Sequence, residues 1–139
     1  MPVTFDTDTI RLITLFENVT GAPVKDCLVV DEKTIYFVID EGKVGIAIGK
    51  NGNSVKHAEN IIGKTIKLFE YSQNLEKFVK NVIPQTNEVK VVKKEDKIVV
   101  EIRVERKDRA LVIGRDSKNL NLFKEILHRN HNIDELIVR

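Results

Sequence analysis

Ile48-Gly49-Lys50-Asn51-Gly52 is the segment whose residue types and spacing could do chemistry. Glycine has no Cβ, so another backbone can approach it closely. The segment follows the short apolar stretch from Lys43 to Ile48 and leads into residues of helical spacing from Asn53 or Ser54. A helix start offers unpaired N–H groups and a partial positive charge. Lys50 adds a full one, and together these form a cradle for phosphate. Two nucleotide-enzyme patterns are absent. An ATPase phosphate loop needs four residues between its first glycine and Gly-Lys, then Ser or Thr; here three separate Gly45 from Gly49, and Asn51 follows Lys50. A dinucleotide fingerprint needs Gly where Ala47 stands, after a strand. Taken alone, the loop reads first as a tight turn between two helices.

The other reactive side chains point away from catalysis. His128 and His131 are three apart, but no carboxylate or cysteine pattern completes a metal site, so they read as residues favoured by a helix C-terminus. His57 reads as solvated, and Cys27, between apolar strand residues, as a small buried hydrophobe. The run Lys90, Lys93, Lys94, Lys97 reads as a solvated hairpin and offers a secondary anion surface. With no nucleophile–base pair or carboxylate dyad, no enzyme, catalytic residue, cofactor or metal is expected.

Composition sets the outer limits. The chain has 139 residues, 42% hydrophobic and 32% charged, which is globular rather than disordered. No apolar run approaches the ~18 residues of a membrane span, and no membrane partner is expected. Met1-Pro2-Val3-Thr4 leads straight into acidic residues, so no secretory leader is expected. A single cysteine excludes an internal disulfide framework and suits a reducing, cytoplasmic compartment. The net charge of +2 hides an asymmetry: residues 1–71 hold 8 basic and 10 acidic side chains, residues 72–139 hold 15 and 11. The second half weakly favours an anionic partner.

The loop does not stand alone, because the chain repeats itself. Val44-Gly45-Ile46-Ala47-Ile48-Gly49-Lys50-Asn51-Gly52 aligns with Arg109-Ala110-Leu111-Val112-Ile113-Gly114-Arg115-Asp116-Ser117, with Gly49 and Gly114 65 positions apart. Asp31-Glu32-Lys33 precedes Glu95-Asp96-Lys97 by 64, and Ile61 precedes Ile126 by 65. Each unit reads as helix, strand, strand, helix, helix, strand. In the first, Asp6 or Asp8 caps a helix from Ile10 to Val19 that stops at Gly21 and Pro23. Val24–Val30 and Thr34–Ile39 form a hairpin. Val55, Ala58, Ile61 and Ile62 stripe a helix ended by Gly63, and Thr65–Tyr71 is a strand. In the second, Leu75, Phe78, Val79 and Val82 share a helical face terminated by Pro84. Val89–Lys93 and Lys97–Val104 form the hairpin, Arg106–Ile113 the short helix, Leu120 to Leu127 the next, and Asn132–Val138 the last strand. The fold class is therefore α+β in two units, 1–72 and 73–139. The linker Tyr71-Ser72-Gln73-Asn74 has no Gly or Pro, so the units are expected to pack together.

A glycine loop between two helices, behind a hairpin and ahead of a strand, resembles the K homology (KH) family in its type II arrangement. Ile48-Gly49-Lys50-Asn51-Gly52-Asn53-Ser54-Val55 matches that family's Ile-Gly-x-x-Gly core, and the two copies cover essentially the whole chain. The pair looks like the RNA-binding portion of a transcription factor in its short, archaeal form. The resemblance implies a non-catalytic protein that binds single-stranded RNA in transcription elongation or termination, with RNA polymerase as a candidate partner. The loop of this family clamps about four backbone nucleotides. Carried over, Gly49 and Gly52 face the sugar–phosphate chain, Lys50 and Asn51 reach phosphate oxygens, and Ile48, Val55 and Ile46 line a groove under the bases. In the second copy Gly114, Arg115 and Lys118 take the RNA-binding positions. Ser117 stands where the second glycine belongs, and Asp116 repels phosphate. An alternative is that Asp116 and Ser117 cap the next helix and RNA passes at a distance. Two other functions remain open: tandem KH work in the ribosome or in RNA processing, and a protein-interaction adaptor that has lost RNA binding.

Overall fold

The computed structural model describes residues 6–139; Met1–Phe5, on which the expectation about a leader rests, lie outside them. The described residues divide into two compact units, 6–73 and 74–139.

In the first unit, helix α1 spans Thr7–Thr20. Asp6 is its N-cap: the carboxylate accepts a bond from the Thr9 N–H at 2.7 Å, satisfying one of the orphan donors of the first turn. That bond to the charged form holds the Asp6 carboxyl below its ordinary pKa. Gly21 ends the helix at φ 77°, its N–H bonded to the Glu17 carbonyl. Strands β1 (Val24–Val29) and β2 (Thr34–Ile39) form an antiparallel hairpin in which Cys27 faces Phe37. The chain then crosses over through α2 (Val44–Ile48), one 3₁₀ turn (Lys50–Gly52) and α3 (Asn53–Ile62). It returns as β3 (Thr65–Glu70), parallel to β2. A parallel pair needs a crossover of this length, so sheet topology puts a loop between two helices over the sheet. Phe16 stacks on Phe37 at 4.3 Å. Ile35, Ile39, Ala47 and Ala58 are buried around them, and two alanines at that depth let α2 and α3 lie close to the strands.

The second unit repeats the order: α4 (Leu75–Val82), β4 (Thr86–Lys94), β5 (Lys97–Val104), α5 (Arg106–Ile113), a 3₁₀ turn (Arg115–Ser117), α6 (Lys118–His131) and β6 (Glu135–Val138). The β4–β5 pair is antiparallel and β5–β6 parallel. Asn74 caps α4 by accepting from the Lys77 N–H at 2.9 Å. Phe78, Val82, Val100, Phe123, Ile126 and Leu127 are buried.

Two strand limits differ from the sequence reading by more than one residue. Strand β4 starts at Thr86 rather than Val89, because Thr86 and Glu88 pair with Val104 and Arg103 across a register shift. Backbone pairing, not side-chain apolarity, extends it. Strand β6 starts at Glu135 rather than Asn132, because α6 runs to His131 and Asn132 closes it in the left-handed conformation at φ 58°. His128 helps fix this exit, its Nδ1 lying 2.9 Å from the Ile133 carbonyl oxygen. His131 lies against Phe78, ring centroids 5.3 Å apart. Among the described residues no cluster of His, Cys, Asp or Glu could hold a metal ion, and no helix is long and apolar enough to cross a membrane.

Candidate nucleic-acid interface

Helix α2 presents one face to the core and one to solvent. Ala47 is fully buried, while Ile46 and Ile48 on either side of it are 47% and 41% exposed. Two large aliphatic side chains therefore stand in water at the lip of the glycine loop. Val55, in the first turns of α3, is half-buried and packs against the core, so of the three apolar residues expected along a groove it is the least available.

The loop backbone explains why its two glycines are glycines, and the reasons differ. Gly49 has φ 75° and ψ 176°, a region essentially closed to side chains. A Cβ there would lie 2.7 Å from Ser54 Cβ and 2.9 Å from the Ser54 backbone nitrogen. Its missing side chain thus lets the loop close on α3. Asn51 (φ 55°, ψ 27°) and Gly52 (φ 74°, ψ 13°) are both left-handed. The space around Gly52 is open, the nearest atom to a built Cβ being Lys56 Cε at 3.8 Å. The Gly52 N–H bonds the Gly49 carbonyl at 3.2 Å and closes the turn. Lys50 and Asn51 are exposed at its tip. Helix α3 begins with no side-chain cap bond and no acid in its own first turn to offset its dipole.

The second loop has nearly the same backbone. Gly114 stands at φ 76°, ψ 170°, and a Cβ would meet the Asn119 backbone nitrogen at 2.9 Å. Asn119 also ties the loop down, donating from Nδ2 to the Leu111 carbonyl at 2.9 Å. Asp116 (φ 55°, ψ 31°) and Ser117 (φ 61°, ψ 22°) repeat the left-handed pair. The glycine that closure demands is present in both loops; the one facing open space is replaced in the second. Arg115 and Lys118 are exposed, as is Leu111 at 63%, the counterpart of Ile46.

The capping alternative for this loop is not what the structure holds. Ser117 is left-handed rather than extended, and makes no side-chain bond to the start of α6. A non-glycine residue in that conformation costs roughly 1–2 kcal/mol, of which glycine's extra unfolded-state freedom offsets about half. Ser117→Gly is therefore expected to stabilise the second unit by up to about 1 kcal/mol, raising its melting temperature. A capping role would require a lower one, so thermal melting of the full chain decides the sign.

A crossover of two helices joined by a left-handed, cation-tipped glycine turn, packed on a sheet with one parallel pair, defines a type II KH module. Comparison with known proteins agrees: residues 11–84 match the KH domain family. The chain is 41% identical over 131 residues to a protein of Methanococcus vannielii named probable transcription termination protein NusA, covering 93% of this chain and 75% of that one. Proteins of the same name from Methanocaldococcus jannaschii (36% identical; 98% and 75% covered) and Halococcus morrhuae (32%; 98% of each) are similar too. The crystal structure of APE1850 superposes with a TM-score of 0.79 at 29% identity, covering 97% of this chain and all of that one. The chain belongs to the KH domain family, in the branch of the archaeal NusA proteins.

Proposed function

We propose that this protein is a non-catalytic, cytoplasmic transcription factor that binds single-stranded RNA, with the first unit's loop as its principal clamp and RNA polymerase as its partner. The second unit is a further type II KH domain, so that 1–72 and 73–139 form a tandem. What supports this most is the shape of one loop: Lys50 and Asn51 exposed on a left-handed turn, leading onto an uncapped helix, beside the exposed Ile46 and Ile48. Phosphate oxygens meet N–H groups, the helix dipole and a lysine. The open side of Gly52 admits the sugar–phosphate chain, and the isoleucines offer an apolar surface to bases. Gly49, Lys50, Asn51, Gly52, Ile48 and Val55 carry the first site; Gly114, Arg115 and Lys118 carry a weaker one, opposed by Asp116. The relatives' names favour transcription over ribosomal work or an adaptor role.

Two measurements test the reading. Titration of the full chain with a short single-stranded RNA is expected to show affinity that falls as salt rises, because bound phosphates release counterions. Affinity purification of the tagged protein from cells is expected to recover RNA polymerase. An RNA titration without binding would favour the adaptor; binding without polymerase would favour another RNA-processing role.

A further inference from the structure

Four arginines of the second unit line one depression: Arg103 near the end of β5, Arg106 and Arg109 on α5, and Arg139 just beyond β6, with Val104 between them. We propose that this depression is a second phosphate-binding site, which grips the backbone of the same RNA at the end of α5 remote from the glycine loop. The inference rests on the RNA-binding reading above and adds a site to it.

The backbone fixes where these side chains start. The Arg139 N–H bonds the Ile102 carbonyl at 2.9 Å and its carbonyl receives the Val104 N–H at 3.4 Å, which seats Arg139 beside the last turns of β5. Arg106 and Arg109 are three apart on one helix, hence neighbours on its surface, where like charges repel. All four are exposed. The acids nearby leave most of this charge uncompensated. Glu101 takes Arg139 at 3.3 Å. Glu88 is the cross-strand partner of Arg103 on β4. Glu105, four residues before Arg109, pairs with Lys107 at 3.5 Å instead. Asp108 is half-buried and lies between the two helical arginines in sequence. Among the described residues Arg103, Arg106 and Arg109 have no ion-pair partner.

Guanidinium groups are the side chains best matched to phosphate, through paired N–H bonds and weak hydration. The helix rises ~1.5 Å per residue, so Arg106 lies about 10 Å along α5 from its other end. A strand crossing that loop could therefore run down α5 into the depression. This gives the second unit a hold on RNA that does not depend on the glycine missing from its loop.

The test is the salt dependence of binding of a short mixed-sequence single-stranded RNA to the full chain. Arg106→Ala with Arg109→Ala removes two phosphate contacts, so the slope of log affinity against log salt should fall by about 1.4. Affinity should drop about 25-fold near 0.1 M salt, and the loss should vanish towards 1 M. Arg106→Lys with Arg109→Lys keeps the charges and should keep most of the slope, a rescue that a packing role would not give. Unchanged melting of both variants confirms that folding is not the cause. If the wild type binds RNA and the alanine variant keeps its slope, this site is overturned while the RNA-binding reading stands, and an acidic protein surface becomes the ligand to seek. If the wild type binds no RNA at any salt, both fall.

Discussion

Changing Lys50 and Asn51 together to aspartate is expected to abolish RNA binding while leaving the protein folded. Both side chains are exposed at the tip of the first loop. A charge beside a phosphate is worth about 1–4 kcal/mol across the range from water to a protein surface. Two added negative charges therefore weaken binding by at least about thirtyfold. The fold should tolerate both. Exposed substitutions usually stay within ~0.5 kcal/mol, and the second loop already carries an aspartate, Asp116, at the position and backbone conformation of Asn51, both at φ 55°. Binding isotherms and a melting curve of the double variant check the two halves of the expectation. Undiminished affinity in a folded variant would remove this loop from the interface.

Substituting the other end of the loop should do the reverse. Gly49→Ala is expected to destabilise the first unit by roughly 2–5 kcal/mol, combining strain at a backbone conformation reserved for glycine with a clash against a helix backbone. The clash is with the Ser54 nitrogen, 2.9 Å from the added carbon, and an atom inside a helix start cannot move aside cheaply. For a unit of this size each kcal/mol lowers the melting temperature by about 4–8 °C, so a fall of at least about 8 °C is expected. Gly52→Ala, with no atom nearer than 3.8 Å to its new carbon, should cost only about 1 kcal/mol of left-handed strain and should instead weaken RNA binding. Equal destabilisation by the two substitutions would contradict the division of labour between these glycines.

That division was only half legible in the sequence. The repeat of 65 residues, the helix stops at Gly21 and Gly63, a cap at Asp6 or Asp8 and the position of the loop between two helices all follow from local rules of spacing and backbone chemistry. The family resemblance gives both loop glycines the same role, and a sequence does not show which of them also has a packing reason to lack a side chain. Only the packing of Gly49 on Ser54 does. The start of β4 was hidden because Thr86 and Glu88 enter the sheet through backbone pairing alone. The arginine depression was hidden for a topological reason. Arg103, Arg106 and Arg109 are close in sequence, but Arg139 reaches them only because β6 returns parallel to β5. Charge counting registers such residues as a mild basic excess and cannot gather them into one place.

The proposed function places RNA phosphates at the first loop. Amide and methyl NMR shifts of the full chain, followed during titration with a short single-stranded RNA, test it most directly. The largest shifts are expected at the amides from Lys50 to Ser54 and the methyl groups of Ile46 and Ile48, with a weaker second set at Arg115 to Lys118. Shifts confined to the hairpin around Lys90 to Lys97, with the first loop unmoved, would contradict it.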